Sequence, residues 1–196
     1  MIDFRLLKVW AILAMILGFS QNILAQSPPT ILITYHSESG KTQAMAEAVA
    51  KGVAEVQGVV YILKPVSQVT KEEILKVSAI ILGSPVYNAN MTPQVQEFIN
   101  SWPFEGRPLK DKIGAVFVTG GGFSIGEEAT MFAIIRSMMI HGLIIVGGDD
   151  LEAAFGASAI TGEGDFANKE VQEIFLKKAK GLGQRVGEMT LKYKPY

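Results

Sequence analysis

Three short segments of this chain carry residue types that could hold a phosphate at one end and a flat polar ring at the other. The first is His36-Ser37-Glu38-Ser39-Gly40-Lys41-Thr42. It joins an apolar β-branched run to a helical pattern, so it would lie at a helix N-terminus. There, free backbone N–H groups and the positive end of the helix dipole favour an anion. Ser37, Ser39 and Thr42 add hydroxyl donors, Gly40 lets the backbone turn tightly, and Lys41 adds a point charge beside Glu38. A monophosphate suits this loop better than a triphosphate, because Tyr35 stands where a P-loop needs its first glycine.

The second segment runs from Gly83 to Met91. The amides of Asn88 and Asn90 can bond the edge of a heteroaromatic ring, Tyr87 offers a face for stacking, and Pro85 and Val86 lead into them. Tyr87 and Met91 suit plain packing equally well. The third is Thr119-Gly120-Gly121-Gly122-Phe123, continuing to Gly126. Consecutive glycines cost backbone entropy and are tolerable where a flat ligand lies against the main chain; a hinge is the alternative. Together the loops describe a site of the shape of FMN. No serine–histidine–aspartate arrangement or paired carboxylates compete with it.

Composition narrows the field. The chain has 196 residues, 48% hydrophobic and 19% charged, which is a globular balance for one domain. The net charge of -1 argues against nucleic acid as a partner. There is no cysteine and there are only two histidines, so no metal site is expected. The N-terminus reads as a secretory signal: Arg5 and Lys8, then the apolar run Val9 to Phe19, then a polar stretch ending at Ala25. That run is shorter than the ~20 residues of a spanning helix. The expected division is therefore a signal peptide over 1–25 and one domain over 26–196. The protein would be exported to a periplasmic or other extracytoplasmic space. The alternative is a membrane anchor formed by an uncleaved N-terminus.

The elements that must position the loops follow from periodicity. Apolar runs predict strands at Thr30–Tyr35, Val59–Leu63, Ala79–Leu82, Ile113–Val118 and Leu143–Val146. Helical patterns lie between them, one opened by a capping box of Thr70 and Glu73 and the last by Asn168. The face of that last helix would be Val171, Ile174, Phe175, Leu182 and Val186. Strands apolar on both faces and alternating with helices predict a three-layer α/β sandwich with a five-stranded parallel sheet. Ligands of such sheets sit at the carboxyl ends of the strands, which is where all three loops fall.

The phosphate loop, with Ser37, Ser39, Gly40 and Thr42, resembles the flavodoxin pattern. Gly83-Ser84-Pro85 through Met91, Gly126-Glu127-Glu128-Ala129-Thr130, His141-Gly142 and Phe155-Gly156-Ala157-Ser158 are similar to one branch of that fold. The branch is the tryptophan-repressor-binding-protein-like NAD(P)H:quinone oxidoreductases and NADPH-dependent FMN reductases. The resemblance spans about Thr30 to Met189 and implies a flavodoxin-like fold. It implies FMN held by Ser37 to Thr42, its ring bordered by Val86, Tyr87 and Asn88 and closed by Thr119 to Phe123. His141 would lie near the flavin, across a subunit boundary or within the subunit; a helix C-terminal histidine facing the dipole is the plainer reading. The branch usually places a basic and an aromatic residue where Val86 and Asn88 stand here. The implied reaction is electron transfer from NAD(P)H or another donor to a small acceptor such as a quinone, with no catalytic residue required of the protein. The rival is a non-catalytic flavin-binding electron shuttle. The apolar helix from Met131 to Ile140 predicts a homo-oligomer, a dimer or tetramer.

Overall fold

The computed structural model describes residues 27–167 and 170–193. The proposed export segment and Asn168 lie outside them. β1 spans Thr30–Tyr35, β2 Val60–Pro65, β3 Ala79–Pro85 and β4 Ile113–Gly120. The helices between and after them are α1 (Lys41–Ala54), α2 (Lys71–Lys76), α3 (Pro93–Asn100), α4 (Glu127–Ile140) and α5 (Glu173–Lys192). The parallel pairs run in the order β2-β1-β3-β4, and a short strand β5 (Ile144–Ile145) lies beyond β4. The direction of winding reverses at β1, so a crevice opens between the carboxyl ends of β1 and β3.

Alternate residues of each strand enter opposite cores. Ile31, Ile33, Ile81, Ala115 and Phe117 face Met45 and Val49 of α1 and Phe175 and Leu182 of α5. Leu32, Ile80, Leu82, Val116 and Val118 face Ile74 of α2, Phe98 of α3 and Ile134 and Met138 of α4. The sheet is thus buried on both sides, as unbroken apolar runs require. α2 opens with both halves of its capping box: Thr70 Oγ1 accepts the Glu73 N–H and Glu73 Oε2 accepts the Thr70 N–H. Lys64 Nζ reaches Glu73 Oε1 at 2.7 Å and, with the Thr70 amide, holds that carboxyl below the usual range.

The fifth sheet position departs from expectation. It is filled by two strands, β5 and then β6 (Ala157–Ile160), both parallel to β4: Ile144 pairs with Ile113, and Ala157 pairs with Phe117. Between them Gly147 to Gly156 leaves the sheet and returns. Side chains at Gly147 and Gly148 would overlap Ala154 and Ala153, so glycines are required for this tight excursion. Asp150 turns it by accepting the Leu151 N–H at 2.7 Å. The last helix also begins later than expected, at Glu173 with Gln172 at its N-cap, and Ile174 points outward.

Candidate functional site

The first loop climbs from Tyr35 to α1 without any side chain capping that helix. Gly40 is the N-cap, at φ 81, and as a glycine brings no side chain to cap the helix. α2 and α4 each carry two acidic residues in the first turn, whereas α1 carries none. The positive end of α1 is therefore left for an external anion. Ser37 Oγ is buried beside it without a hydrogen-bond partner, as are His36 Nε2 and Thr34 Oγ1 just upstream. Thr42 Oγ1, also buried, lies 2.7 Å from Thr119 Oγ1 and ties this loop to the end of β4.

The second loop is a tight hairpin, which its sequence did not announce. Tyr87 and Asn90 exchange backbone hydrogen bonds of 2.9 and 3.0 Å, with Asn88 at φ 52 and Ala89 at φ 56 forming the tip. Val86 N–H donates to the Thr119 carbonyl at 2.8 Å, and the tip rests on Gly126, where any side chain would collide with Ala89. Asn90 Oδ1 accepts the Met91 N–H at 2.9 Å, which fixes the amide plane and leaves its Nδ2 donors for a ring edge. The Tyr87 hydroxyl crosses to the first loop and donates to Glu38 Oε2 at 2.8 Å; with burial, this bond raises the tyrosine above its ordinary range. Glu38 Oε1 stands 3.6 Å from His36 Nε2.

In the third loop Gly120 closes β4, and a Cβ added at Gly121 would meet only open space. At Gly122 an added side chain would meet the Glu163 carboxylate, which comes across to accept the Phe123 N–H at 2.8 Å. Phe123 stays half-exposed and meets the edge of Phe166, ring centroids 5.8 Å apart. Glu163 and Phe166 belong to a fourth loop, after β6, that sequence reasoning missed. The clue was there in Ala157 to Ile160, an apolar run ending in Thr-Gly-Glu-Gly.

Ser37 to Thr42, Pro85 to Asn90 and Thr119 to Phe123 thus meet at one end of the sheet, joined by the Thr42–Thr119, Val86–Thr119 and Tyr87–Glu38 contacts. The donor set fits FMN: buried unpaired hydroxyls and an uncapped helix end for the phosphate, and bare glycine backbone for a ring. His141 stands apart from these loops within its own subunit. α4 runs antiparallel to the strands, so its C-cap, His141, comes down at the start of β4, where Gly142 O accepts the Asp111 N–H at 2.9 Å. There His141 packs edge-on against Trp102 and Phe104, each 5.3 Å away between centroids.

Burial holds the His141 imidazole below its ordinary pKa, against the opposing pull of its bond to the Pro103 carbonyl. The sign follows from linkage. The unfolded chain takes up a proton near the ordinary histidine value of about 6.5 before the folded chain does, so this residue drains stability as pH falls below that point. His141→Gln should flatten the fall in unfolding free energy between about pH 6.5 and 5, measured by urea titration at each pH. An unchanged slope would rule out a buried neutral His141.

The model of the NADPH-dependent FMN reductase family matches residues 63–156. The chain is 30% identical over 189 residues to an NAD(P)H dehydrogenase (quinone) of Archaeoglobus fulgidus, covering 83% of this chain and 97% of that protein. It is 29% identical to the NAD(P)H dehydrogenase (quinone) of Sinorhizobium fredii, with the same coverage of 83% and 97%. Among solved structures, a flavodoxin, WrbA-like protein from Agrobacterium tumefaciens superposes with a TM-score of 0.70 at 22% identity, covering 85% of this chain and 99% of that one. An archaeal flavodoxin gives 0.66 at 23% identity, covering 83% and 99%. These likenesses to solved structures speak for the fold.

Proposed function

Because this chain belongs to the flavodoxin-like family of NAD(P)H dehydrogenases (quinone) and FMN reductases, we propose that it is an FMN-dependent oxidoreductase. It passes electrons from NAD(P)H to a quinone-like acceptor. The observation that carries the reading is the buried, partnerless Ser37 hydroxyl at the uncapped, acid-free start of α1. Ser37, Ser39 and Thr42 with the first N–H groups of α1 would hold the phosphate; Gly40 keeps the turn open and Lys41 adds charge. Pro85 to Asn88 and Thr119 to Phe123 would flank the ring and exclude water. FMN itself supplies the hydride and electron chemistry when bound. The protein's part is orientation, backbone donors at the ring edge and closure of the site by the interlocked loops.

The test is an absorbance spectrum of the purified protein after incubation with FMN and desalting. Flavin bands that bleach with NADH or NADPH and return with a quinone are expected. Bands that bleach only with dithionite would favour the electron shuttle. A colourless, folded protein would end both.

Two further expectations belong to the same reading. Residues 1–25 would direct export, so that FMN is acquired outside the cytoplasm; cell fractionation with N-terminal sequencing of the mature protein tests this. The protein would also be a homo-oligomer. Phe132, Met139 and Ile140 of α4 are 42, 59 and 61% exposed, and the Phe155 ring packs at a tilt against Phe132, centroids 4.8 Å apart, to extend the apolar face. His141 adjoins that face, so association could carry it to a neighbour's site. A monodisperse monomer at micromolar concentration in light scattering would sink the oligomer and that role for His141 together.

A further inference from the structure

The phosphate loop contains a carboxylate, Glu38, flanked by the two serines best placed to hold an anion. A charge of the wrong sign there calls for an explanation beyond phosphate binding. Glu38 is exposed yet not loose: one oxygen takes the Tyr87 hydroxyl at 2.8 Å, and the other faces His36 Nε2 at 3.6 Å. Tyr87 is in turn fixed by its paired backbone bonds to Asn90 and by the hairpin tip that rests on Gly126. The carboxylate is therefore pinned across the first and second loops at the carboxyl end of β1 and β3. Glu163 stands over the third loop, on the Phe123 N–H, and Glu127 lies behind it beside Gly120. Glu38 and Glu163 thus place carboxylates over the first and third loops, with Glu127 behind the third.

Taking FMN binding as set out under Proposed function, we propose that Glu38 is the charge-selecting residue of this site. Its carboxylate fixes Tyr87 across the mouth and gives that mouth a negative potential favouring uncharged or cationic electron carriers over anionic ones. The cost is a weaker grip on the FMN phosphate, since a fixed negative charge within several ångströms of an anion opposes it even at high effective dielectric. Tyr87 makes the effect durable: a free glutamate would swing into solvent and be screened, whereas a hydrogen-bonded one keeps its charge over the site.

The experiment uses the full chain, its Glu38→Gln variant and its Tyr87→Phe variant. The first readout is binding alone: the ratio of riboflavin to FMN dissociation constants, from quenching of flavin fluorescence. That ratio should rise about tenfold in E38Q, because only FMN carries the phosphate that the carboxylate repels. In the second, the FMN-loaded protein is photoreduced and its reoxidation followed by stopped flow with ferricyanide, benzoquinone and hexaammineruthenium(III). Relative to benzoquinone, E38Q should speed the trianion and slow the trication, each by about tenfold at low salt, and the shifts should shrink at high salt. Y87F keeps the charge but frees it, and should give a smaller shift of the same sign. Ratios that do not move in E38Q overturn the charge-selecting role while leaving FMN binding intact. A wild-type chain that retains no flavin removes the Proposed function, and this inference with it.

Discussion

Gly183→Ala should cost about 3 kcal/mol of stability, the upper end for forcing extra atoms into a packed contact, although alanine is the better helix former. Gly183 and Gly52 are the crossing point of α5 and α1. A Cβ at Gly183 would overlap the Val49 carbonyl oxygen, and one at Gly52 the Lys180 carbonyl oxygen. Both obstacles are backbone, so neither can rotate away and the helices must separate. The gain in helix propensity, about 1 kcal/mol, does not offset that. Gly181→Ala, on the same helix, supplies the control: its Cβ would meet only the end of the Asp149 side chain, which can move. G181A should be neutral or slightly stabilising in urea unfolding while G183A is strongly destabilising. The effect reaches the site as well. α1 carries the phosphate loop on its N-terminus, so displacing it moves Gly40, Lys41 and Thr42, and G183A should weaken FMN in proportion to the helix shift. Equal stability of the two variants would mean that this crossing does not fix α1.

How far the sequence foretold this arrangement depends on how local the signals were. β1 was readable to the residue because Thr30–Tyr35 is β-branched, apolar and bounded by prolines and a polar loop. The α2 capping box was readable because both partners lie within one turn. The edge strand was not. Leu143 to Val146 looks like a complete strand, but only Ile144–Ile145 pairs, and the second half of that sheet position comes from Ala157–Ile160. Four small and apolar residues after a glycine carry no periodicity that separates strand from loop. The chain departs at Gly147-Gly148-Asp149-Asp150, where the glycines permit the tight excursion.

The site was legible as three loops but not as a lock. Residue types gave the hydroxyls and glycines of each segment; the ties between segments join residues far apart in sequence. Thr42 meets Thr119 and Glu38 meets Tyr87 only because parallel strands bring all the carboxyl ends to one edge. His141 shows the converse. A resemblance places it by family position, while helix direction places it at the opposite end of its own subunit's sheet.

Thr42→Val should weaken FMN binding by about tenfold to a hundredfold, the loss expected when one hydrogen bond to a charged group is removed. Valine keeps the shape of threonine and removes only the hydroxyl. Two effects must be separated, because Thr42 Oγ1 is also the partner of Thr119 Oγ1 at 2.7 Å in a buried position. Losing the hydroxyl leaves Thr119 unpaired and should cost about 1 kcal/mol of stability. The double variant T42V/T119V removes both partners and should recover most of that stability, since two apolar groups of the same shape leave no orphan. It should not recover FMN affinity. Riboflavin sharpens the contrast: it lacks the phosphate, so T42V should weaken FMN far more than riboflavin in the same fluorescence titration. If both flavins weaken alike, the Thr42 hydroxyl only braces the first loop against β4. The phosphate would then rest on Ser37, Ser39 and the backbone of α1 alone.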